Sequence, residues 1–465
     1  MLPFRTWYHE KYRHLWRRFF QSPARVSILG FMVLILLGSL LLMLPHSSTA
    51  APLSFIDALF TATSAACVTG LSVMDIGREL TLFGQLTVLG LIQVGGLGIM
   101  TISTLFMLIA GKQLSLTELS IIRDSFTQSG ERNLKSILRD IIVFTLVIEA
   151  GGALILFLRF LPGRSASDAA YLSVFHAVSA FCNAGFSLFS DSLTGYAGDL
   201  IVNLVIVFLI VSGGIGFLVM SELKRGFPLN HRKWSRLSLH SKLMLSSTGL
   251  ILLISTLVIA SMEWHNTLAD LSAPERILAA FFQAATTRTA GFNTIPIGDM
   301  TSETLFFMIL LMFIGAGPGS CAGGIKITTL ATISLLGLSR LLGYSRPQIF
   351  HRTISEESSE KAVGLALLSG FIVILGTMLM LMSELGDIPH TQSRGGFLEL
   401  LFETVSAFGT VGLSTGITAA MSALGKFIIT CIMFMGRLGP MVIAVAVSRT
   451  IDKNHYHATE HIMIG

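Results

Sequence analysis

Charge is what this chain has least of. Asp, Glu, Lys and Arg make up 13% of its 465 residues, where a soluble domain carries about 25%. Apolar residues make up 52% and recur in long runs; about 20 such residues cross a bilayer core. A water-soluble globule is excluded, and a polytopic membrane protein is indicated. Cysteine is also scarce. Cys67, Cys182, Cys321 and Cys431 form no C-x-x-C and have no histidine at metal-ligand spacing, which excludes a disulfide framework and a zinc site. No H-E-x-x-H, G-x-S-x-G or P-loop string occurs, and no acids cluster within the spans, so an enzyme is not indicated. No span carries regularly spaced arginines, as a voltage sensor would. The net charge of +5 reads as cytoplasmic loop bias and not as nucleic-acid binding.

Eight spanning candidates are present, at about 26–44, 80–110, 137–160, 199–221, 242–262, 303–336, 362–383 and 422–448. The first is followed by Ser-Thr-Ala-Ala, as a signal peptide might be, but it exceeds the usual apolar core of 7 to 15 residues. Basic loops follow the second, fourth and sixth spans, at 112–135, 224–242 and 340–361. The tail at 1–25 is basic too, through Arg5, Lys11, Arg13, Arg17, Arg18 and Arg25. The positive-inside rule therefore predicts both termini in the cytoplasm. The opposite connections carry acids instead, among them Asp57, Asp75, Glu79, Asp191, Asp299 and Asp387.

Those outer connections each hold a moderately apolar stretch too short to span: 55–66, 169–181, 274–286 and 396–408. They are copies of one another. Phe60, Phe175, Phe281 and Phe402 precede Gly70, Gly185, Gly291 and Gly412, with ten-residue spacing in all four copies. Ser64-Ala65, Ser179-Ala180 and Ser406-Ala407 share a column, which Ala285-Thr286 fills in the third copy. Leu71-Ser72, Phe186-Ser187, Phe292-Asn293 and Leu413-Ser414 follow the glycines. The predicted fold is all-α, with eight spanning helices and four re-entrant pore loops in fourfold pseudosymmetry. The repeats cover 26–110, 137–224, 242–340 and 361–449, between cytoplasmic tails at 1–25 and 450–465.

Such a repeat suits an ion path. Non-helical backbone at membrane depth persists only when buried in protein or lining water. Four short helices would aim their C-terminal dipole ends at a common axis and favour a cation. Extended residues beyond them would offer carbonyl oxygens in place of water. The predicted potassium-binding strings are Val68-Thr69-Gly70, Asn183-Ala184-Gly185, Thr289-Ala290-Gly291 and Thr410-Val411-Gly412. The last, continued by Leu413, resembles the potassium-channel string Thr-Val-Gly-Tyr-Gly. Without acidic side chains, these strings favour a monovalent ion over calcium.

The chain resembles the ion-conducting subunit of the Trk/Ktr/HKT potassium-transporter superfamily, most closely its KtrB-like branch. The resemblance runs over essentially the whole chain. It rests on the four strings, on Gly-Ala-Gly-Pro-Gly-Ser-Cys-Ala-Gly-Gly-Ile-Lys at 315–326, and on Gly-Arg-Leu-Gly-Pro at 436–440. It implies potassium uptake, often sodium-stimulated, with K+ as the transported ion and Na+ as an activating one. It also implies a homodimer on a cytoplasmic, KtrA-like ring whose subunits, not this chain, bind a nucleotide cofactor. Plant members with serine at the first filter position tend to prefer sodium, so Gly70 points to potassium.

The sixth span is interrupted by Gly315, Gly317, Pro318, Gly319, Gly323 and Gly324, which break a helix. A kinked, closely packed helix is one reading; an unwound loop across the pore is the other, and the resemblance favours an intramembrane gate at 315–324. Arg437 lies mid-span, where a cation is costly and functional by default, and the resemblance implies a cationic barrier below the filter. Lys326, just past the loop, has two readings: a similar gate charge, or snorkelling to an interface. Arg288 precedes a filter string and is expected to pair with Glu403 or Glu399 as a filter brace. His455, His457 and His461 read as an exposed tail before a metal site. The Gly95–Gly98 and Gly213–Gly216 strings lack a βαβ context and read as close helix packing, not dinucleotide binding. A solute symporter usually pairs two broken helices, not four glycine loops.

Overall fold

A computed structural model of the chain describes residues 23–98, 134–226 and 231–439. The tails, with His455, His457 and His461, and most of the basic loop at 112–135 lie outside the described residues. The fold repeats a three-helix unit four times. The first quarter holds α1 (Pro23–Leu42), the short α2 (Phe55–Ala66) and α3 (Leu82–Gly96). The second holds α4 (Leu134–Phe160), the short α5 (Ala166–Phe181) and α6 (Leu200–Ile215), which α7 (Phe217–Gly226) continues after a break. The third holds α8 (Leu239–Glu263), the short α9 (Ala273–Thr286), α10 (Ser302–Phe313) and α11 (Ile327–Leu341). The fourth holds α12 (Glu356–Glu384), the short α13 (Gly396–Gly409) and α14 (Ala423–Leu438).

Among the described residues, three helices are long and apolar enough to cross a membrane: Arg139–Phe160, Leu239–Glu263 and Glu356–Glu384. Their outward faces are apolar, as on α12, where Leu367, Phe371 and Ile374 stand exposed. Lipid is the solvent that suits such a face. Buried positions, in contrast, include Glu149, His176, Gln283, Arg288, Glu403 and Arg437.

The inner helices are shorter than the expected spans for a local reason. Each stops at an equivalent string: Gly95-Gly96-Leu97-Gly98, Gly213-Gly214-Ile215-Gly216, Gly315-Ala316-Gly317-Pro318 and Gly436-Arg437-Leu438-Gly439. Gly98, Gly216 and Gly439 have φ of 83°, 94° and 81°, a positive-φ backbone that glycine takes readily and that other residues resist. In the third copy proline stands there, and a loop follows.

Helix starts are equally local. Ser54 and Ser165 cap α2 and α5 by accepting from the backbone N–H of Asp57 and Asp168. Ser272 begins α9 in a capping box with Glu275. A two-residue hairpin of Gln348–Ile349 against Arg352–Thr353 departs from the all-α expectation. Phe350 and His351, both left-handed, make the turn that matches strand twist.

Packing closes the four quarters into a cycle. Each short helix contacts the inner helix of the preceding quarter: α5 on α3, α9 on α6, α13 on α10, and α2 on α14. The last contact joins the fourth quarter to the first.

Candidate functional site

At the inner end of each short helix the chain turns back along one repeated path. Val68, Asn183, Thr289 and Thr410, each two residues before its glycine, have φ of 53°, 59°, 71° and 49°. For β-branched valine and threonine this left-handed backbone is a strained state, costing on the order of 1–2 kcal/mol. Backbone bonds hold it. Thr69 N donates to Ser64 O at 2.8 Å, Ala184 N to Ser179 O at 2.7 Å, and Val411 N to Ser406 O at 2.8 Å. In the third copy the register slips by one residue, and Ala290 N donates to Thr286 O at 2.9 Å.

The serine column has a second use. Ser64 Oγ accepts from Gly70 N at 3.1 Å, and Ser406 Oγ accepts from Gly412 N at 3.1 Å. Ser179 Oγ donates to Phe186 O at 2.7 Å. Ala285 has no hydroxyl to offer, so the third copy lacks this pin.

Gly70, Gly185, Gly291 and Gly412 then meet in a closed ring. A Cβ added to Gly70 would lie 2.6 Å from Ala184 O, and one on Gly185 would lie 2.9 Å from Ala290 O. One on Gly291 would lie 2.6 Å from Val411 O, and one on Gly412 would lie 2.1 Å from Thr69 O. Each glycine thus faces the carbonyl that precedes the next glycine, and the fourth returns to the first. No side chain fits, and φ between 69° and 99° at the four glycines disfavours one independently. Outside the ring lies a cavity of about 280 Å³ lined by the four glycines and by Ser72, Ser187, Asn293, Ser414 and Asp75.

Inside the ring, residues 314–326 form the loop between α10 and α11. Gly315 N donates to Ile325 O at 2.7 Å and Ile327 N to Ala316 O at 3.1 Å, which pins the loop's two ends together. Gly317 N reaches Gly214 O at 2.9 Å, and Phe217 N reaches Gly319 O at 3.3 Å. Cys321 Sγ contacts Gly96 O at 2.8 Å. A Cβ on Gly323 would lie 2.3 Å from Thr410 Oγ1, and Gly324 lies against Gly409. The loop therefore touches the other three quarters at once, directly under the fourth string.

Arg437 is 8% exposed. Its Nη1 donates to Cys321 O at 2.6 Å and its Nη2 to Gly95 O, so it ties the loop to the first and fourth quarters. Lys326 Nζ donates to Ala322 O within the same loop.

The expected brace between Arg288 and Glu403 or Glu399 is not formed. Arg288 is buried, and its Nη2 donates to Thr248 Oγ1 on α8 at 3.2 Å. Glu403 stays within its own quarter. Its Oε1 accepts from Ser414 Oγ at 2.5 Å and Thr415 N at 3.1 Å, and its Oε2 accepts from Thr418 Oγ1 at 2.9 Å. The cause is axial offset. Arg288 stands three residues before its glycine, beyond the end of α9, and Glu403 nine before its own, within α13, so the two sit at different depths in the repeat. His176, which is fully buried, was not singled out by sequence reasoning. Its column shows the signal: it stands nine residues before Gly185, as Glu403 does before Gly412.

A helix-rich membrane fold with buried glycines and carbonyls closed into one ring defines a membrane transporter. The TrkH family of cation transport proteins matches residues 13–458, and the chain belongs to that family. It is therefore a cation transport protein and not an enzyme. It is 42% identical to the Ktr system potassium uptake protein B of Bacillus subtilis over 97% of this chain and 98% of that one. It is 37% identical to the protein of the same description from Vibrio alginolyticus, over 92% of each. With the potassium/sodium uptake protein NtpJ of Enterococcus hirae it shares 34% identity, over 96% of this chain and 97% of that one. The crystal structure of the potassium transporter TrkH from Vibrio parahaemolyticus matches with a TM-score of 0.74, covering 92% of this chain and 85% of that one. At 17% identity, that match speaks for the fold.

Proposed function

We propose that the chain is the ion-conducting subunit of a potassium uptake system, and that the glycine ring is its selectivity filter. The single observation that carries this reading is the closed cycle in which each ring glycine faces the carbonyl before the next. Carbonyl oxygens around one axis replace the hydration shell of a monovalent cation. The twelve residues of the strings 68–70, 183–185, 289–291 and 410–412 supply that lining. The names of the relatives agree on potassium, and that of NtpJ adds sodium as an ion taken up; sodium stimulation is part of the proposal.

In this reading the chain crosses a bacterial inner membrane eight times with both termini inside, and the four short helices are re-entrant. The loop at 315–324 is the gate, with Gly315, Gly317, Gly319, Gly323 and Gly324 giving it a bare backbone. Lys326 and Arg437 set a cationic barrier beneath the filter. The assembly in this reading is a homodimer on a cytoplasmic ring of nucleotide-binding subunits; the relatives' description as protein B of a Ktr system supports more than one component.

Purified chain in proteoliposomes should take up rubidium in preference to sodium. Gly70→Ser puts a side chain against Ala184 O on a backbone with φ of 99°. It should lower rubidium uptake and narrow the preference by about tenfold, or 1.4 kcal/mol. An unchanged rubidium-to-sodium ratio in Gly70→Ser, at equal incorporation, would falsify the filter assignment.

A further inference from the structure

The four quarters differ in what lies nine residues before the ring glycine and two residues after it. The pairs are Thr61 and Ser72, His176 and Ser187, Phe282 and Asn293, and Glu403 and Ser414. In the fourth quarter Ser414 Oγ donates to Glu403 Oε1 at 2.5 Å and accepts from Gly416 N at 2.9 Å. In the second, His176 Nε2 lies 3.0 Å from Ser187 Oγ, which accepts from Phe189 N at 3.0 Å. The two turns are built alike, although one buried partner is a carboxylate and the other an imidazole.

The direction of the second bond follows from the far side of the ring. His176 Nδ1 lies 2.7 Å from Leu172 O, which can only accept. In the neutral imidazole, Nδ1 therefore carries the hydrogen and Nε2 presents a lone pair. Ser187 donates to it, as Ser414 donates to Glu403. The imidazole cannot turn away, because it stacks on Phe189 with centroids 4.7 Å apart and meets Phe160 edge-on at 6.1 Å. Neither other quarter has this bond. Among the described residues Thr61 Oγ1 finds no partner and Ser72 Oγ donates to Met74 O instead, while Phe282 offers no polar atom.

We infer that His176 is a positioning residue that fixes the outer rim of the ring through Ser187, in the role that Glu403 plays for the opposite quarter. The braced quarters are the second and fourth in the cyclic order, so the rim is held from two opposite sides. Ser187 follows Gly185 by two residues, and without His176 its hydroxyl keeps only the longer contact to Ser192 O, at 3.5 Å, which would let the Gly185–Phe186 backbone relax. The Ser187 turn also borders the third quarter, since Leu193 N donates to Asn293 O at 3.0 Å and Asn293 N donates to Ser192 Oγ at 3.2 Å. This role rests on the ring being the filter.

The test uses the full-length chain in proteoliposomes and reads the ratio of rubidium to sodium uptake. His176→Phe copies the residue of the third quarter and removes the acceptor. Ser187→Ala removes the donor and a single oxygen, so it reads the same contact even if His176→Phe does not fold. Each should lower the ratio about two- to tenfold, the range of one ordinary hydrogen bond. The double variant should fall no further than the lower single one, and His176→Gln, whose amide oxygen can accept from Ser187, should restore most of the loss. Overturning results are an unchanged ratio in Ser187→Ala, losses that multiply in the double variant, or a His176→Gln no better than His176→Phe. Gly412→Ser separates the two levels. If it too leaves the ratio intact, the ring is not the filter; if it collapses the ratio while Ser187→Ala does not, only the brace is refuted.

Discussion

Arg437 occupies a position that is glycine in the first two quarters and alanine in the third, Gly96, Gly214 and Ala316. Its guanidinium is spent on two backbone carbonyls, Cys321 O and Gly95 O, and among the described residues no carboxylate pairs with it. Arg437→Ala removes both the charge and the tether of the loop, so basal rubidium leak should rise about tenfold or more. Unchanged or lower flux at equal surface expression would remove the barrier role. Arg437 was legible because a lone cation in an apolar run stands out, although it lies in the last turn of α14 and not mid-helix. The partner of Arg288 was not, since linear spacing carries no depth. Glu403 was expected to pair with Arg288, but its partners lie ahead of it in its own turn, at Ser414, Thr415 and Thr418. Comparing the four columns nine residues before the glycines would have paired it with His176.

Among the elements, the inner helices depend on glycines that the short helices press against. A Cβ on Gly436 of α14 would lie 1.9 Å from Phe408 O, one on Gly213 of α6 1.8 Å from Phe181 O, and one on Gly95 of α3 2.0 Å from Ala66 O. In each case the carbonyl is the fourth residue before a ring glycine. Gly436→Ala should destabilise the protein by about 1–3 kcal/mol through overpacking. That exceeds the roughly 1 kcal/mol an alanine adds to a helix interior. Gly249 of α8 meets nothing within 4 Å, so Gly249→Ala should keep that gain and raise the melting temperature. Thermal melting in detergent distinguishes the two, and equal shifts would contradict the packing argument. The serine column and the glycine strings were legible because backbone contacts demand small or hydroxylic residues. The serine-to-acid starts at Ser54–Asp57, Ser165–Asp168 and Ser272–Glu275 were equally readable as capping patterns. The left-handed turn at Phe350 and His351 was not, because neither residue type signals it.

At the scale of the whole molecule, the cycle closes where the fourth quarter meets the first. Lys426 of α14 contacts Asp57 of α2 at 2.7 Å, with side chains 14% and 27% exposed. The pair is worth about 1 kcal/mol at most, so Lys426→Met should lower the melting temperature by only a few degrees, roughly 2–4 °C. Asp57→Asn should cost less in the presence of Lys426→Met than alone. Strict additivity would mean that the pair contributes nothing to closure. The fourfold repeat, and with it the existence of an axis, was readable from the recurring glycines; the cyclic order of neighbours needed coordinates. Because the ring is written out once along a single chain, any substitution enters it at one corner only. A tetramer of identical subunits would receive the same change four times and fail at once. Here selection can alter one corner while three stay as they are, so the corners are free to drift apart. The slipped register of the third copy and the unlike braces of the second and fourth are the record of that freedom.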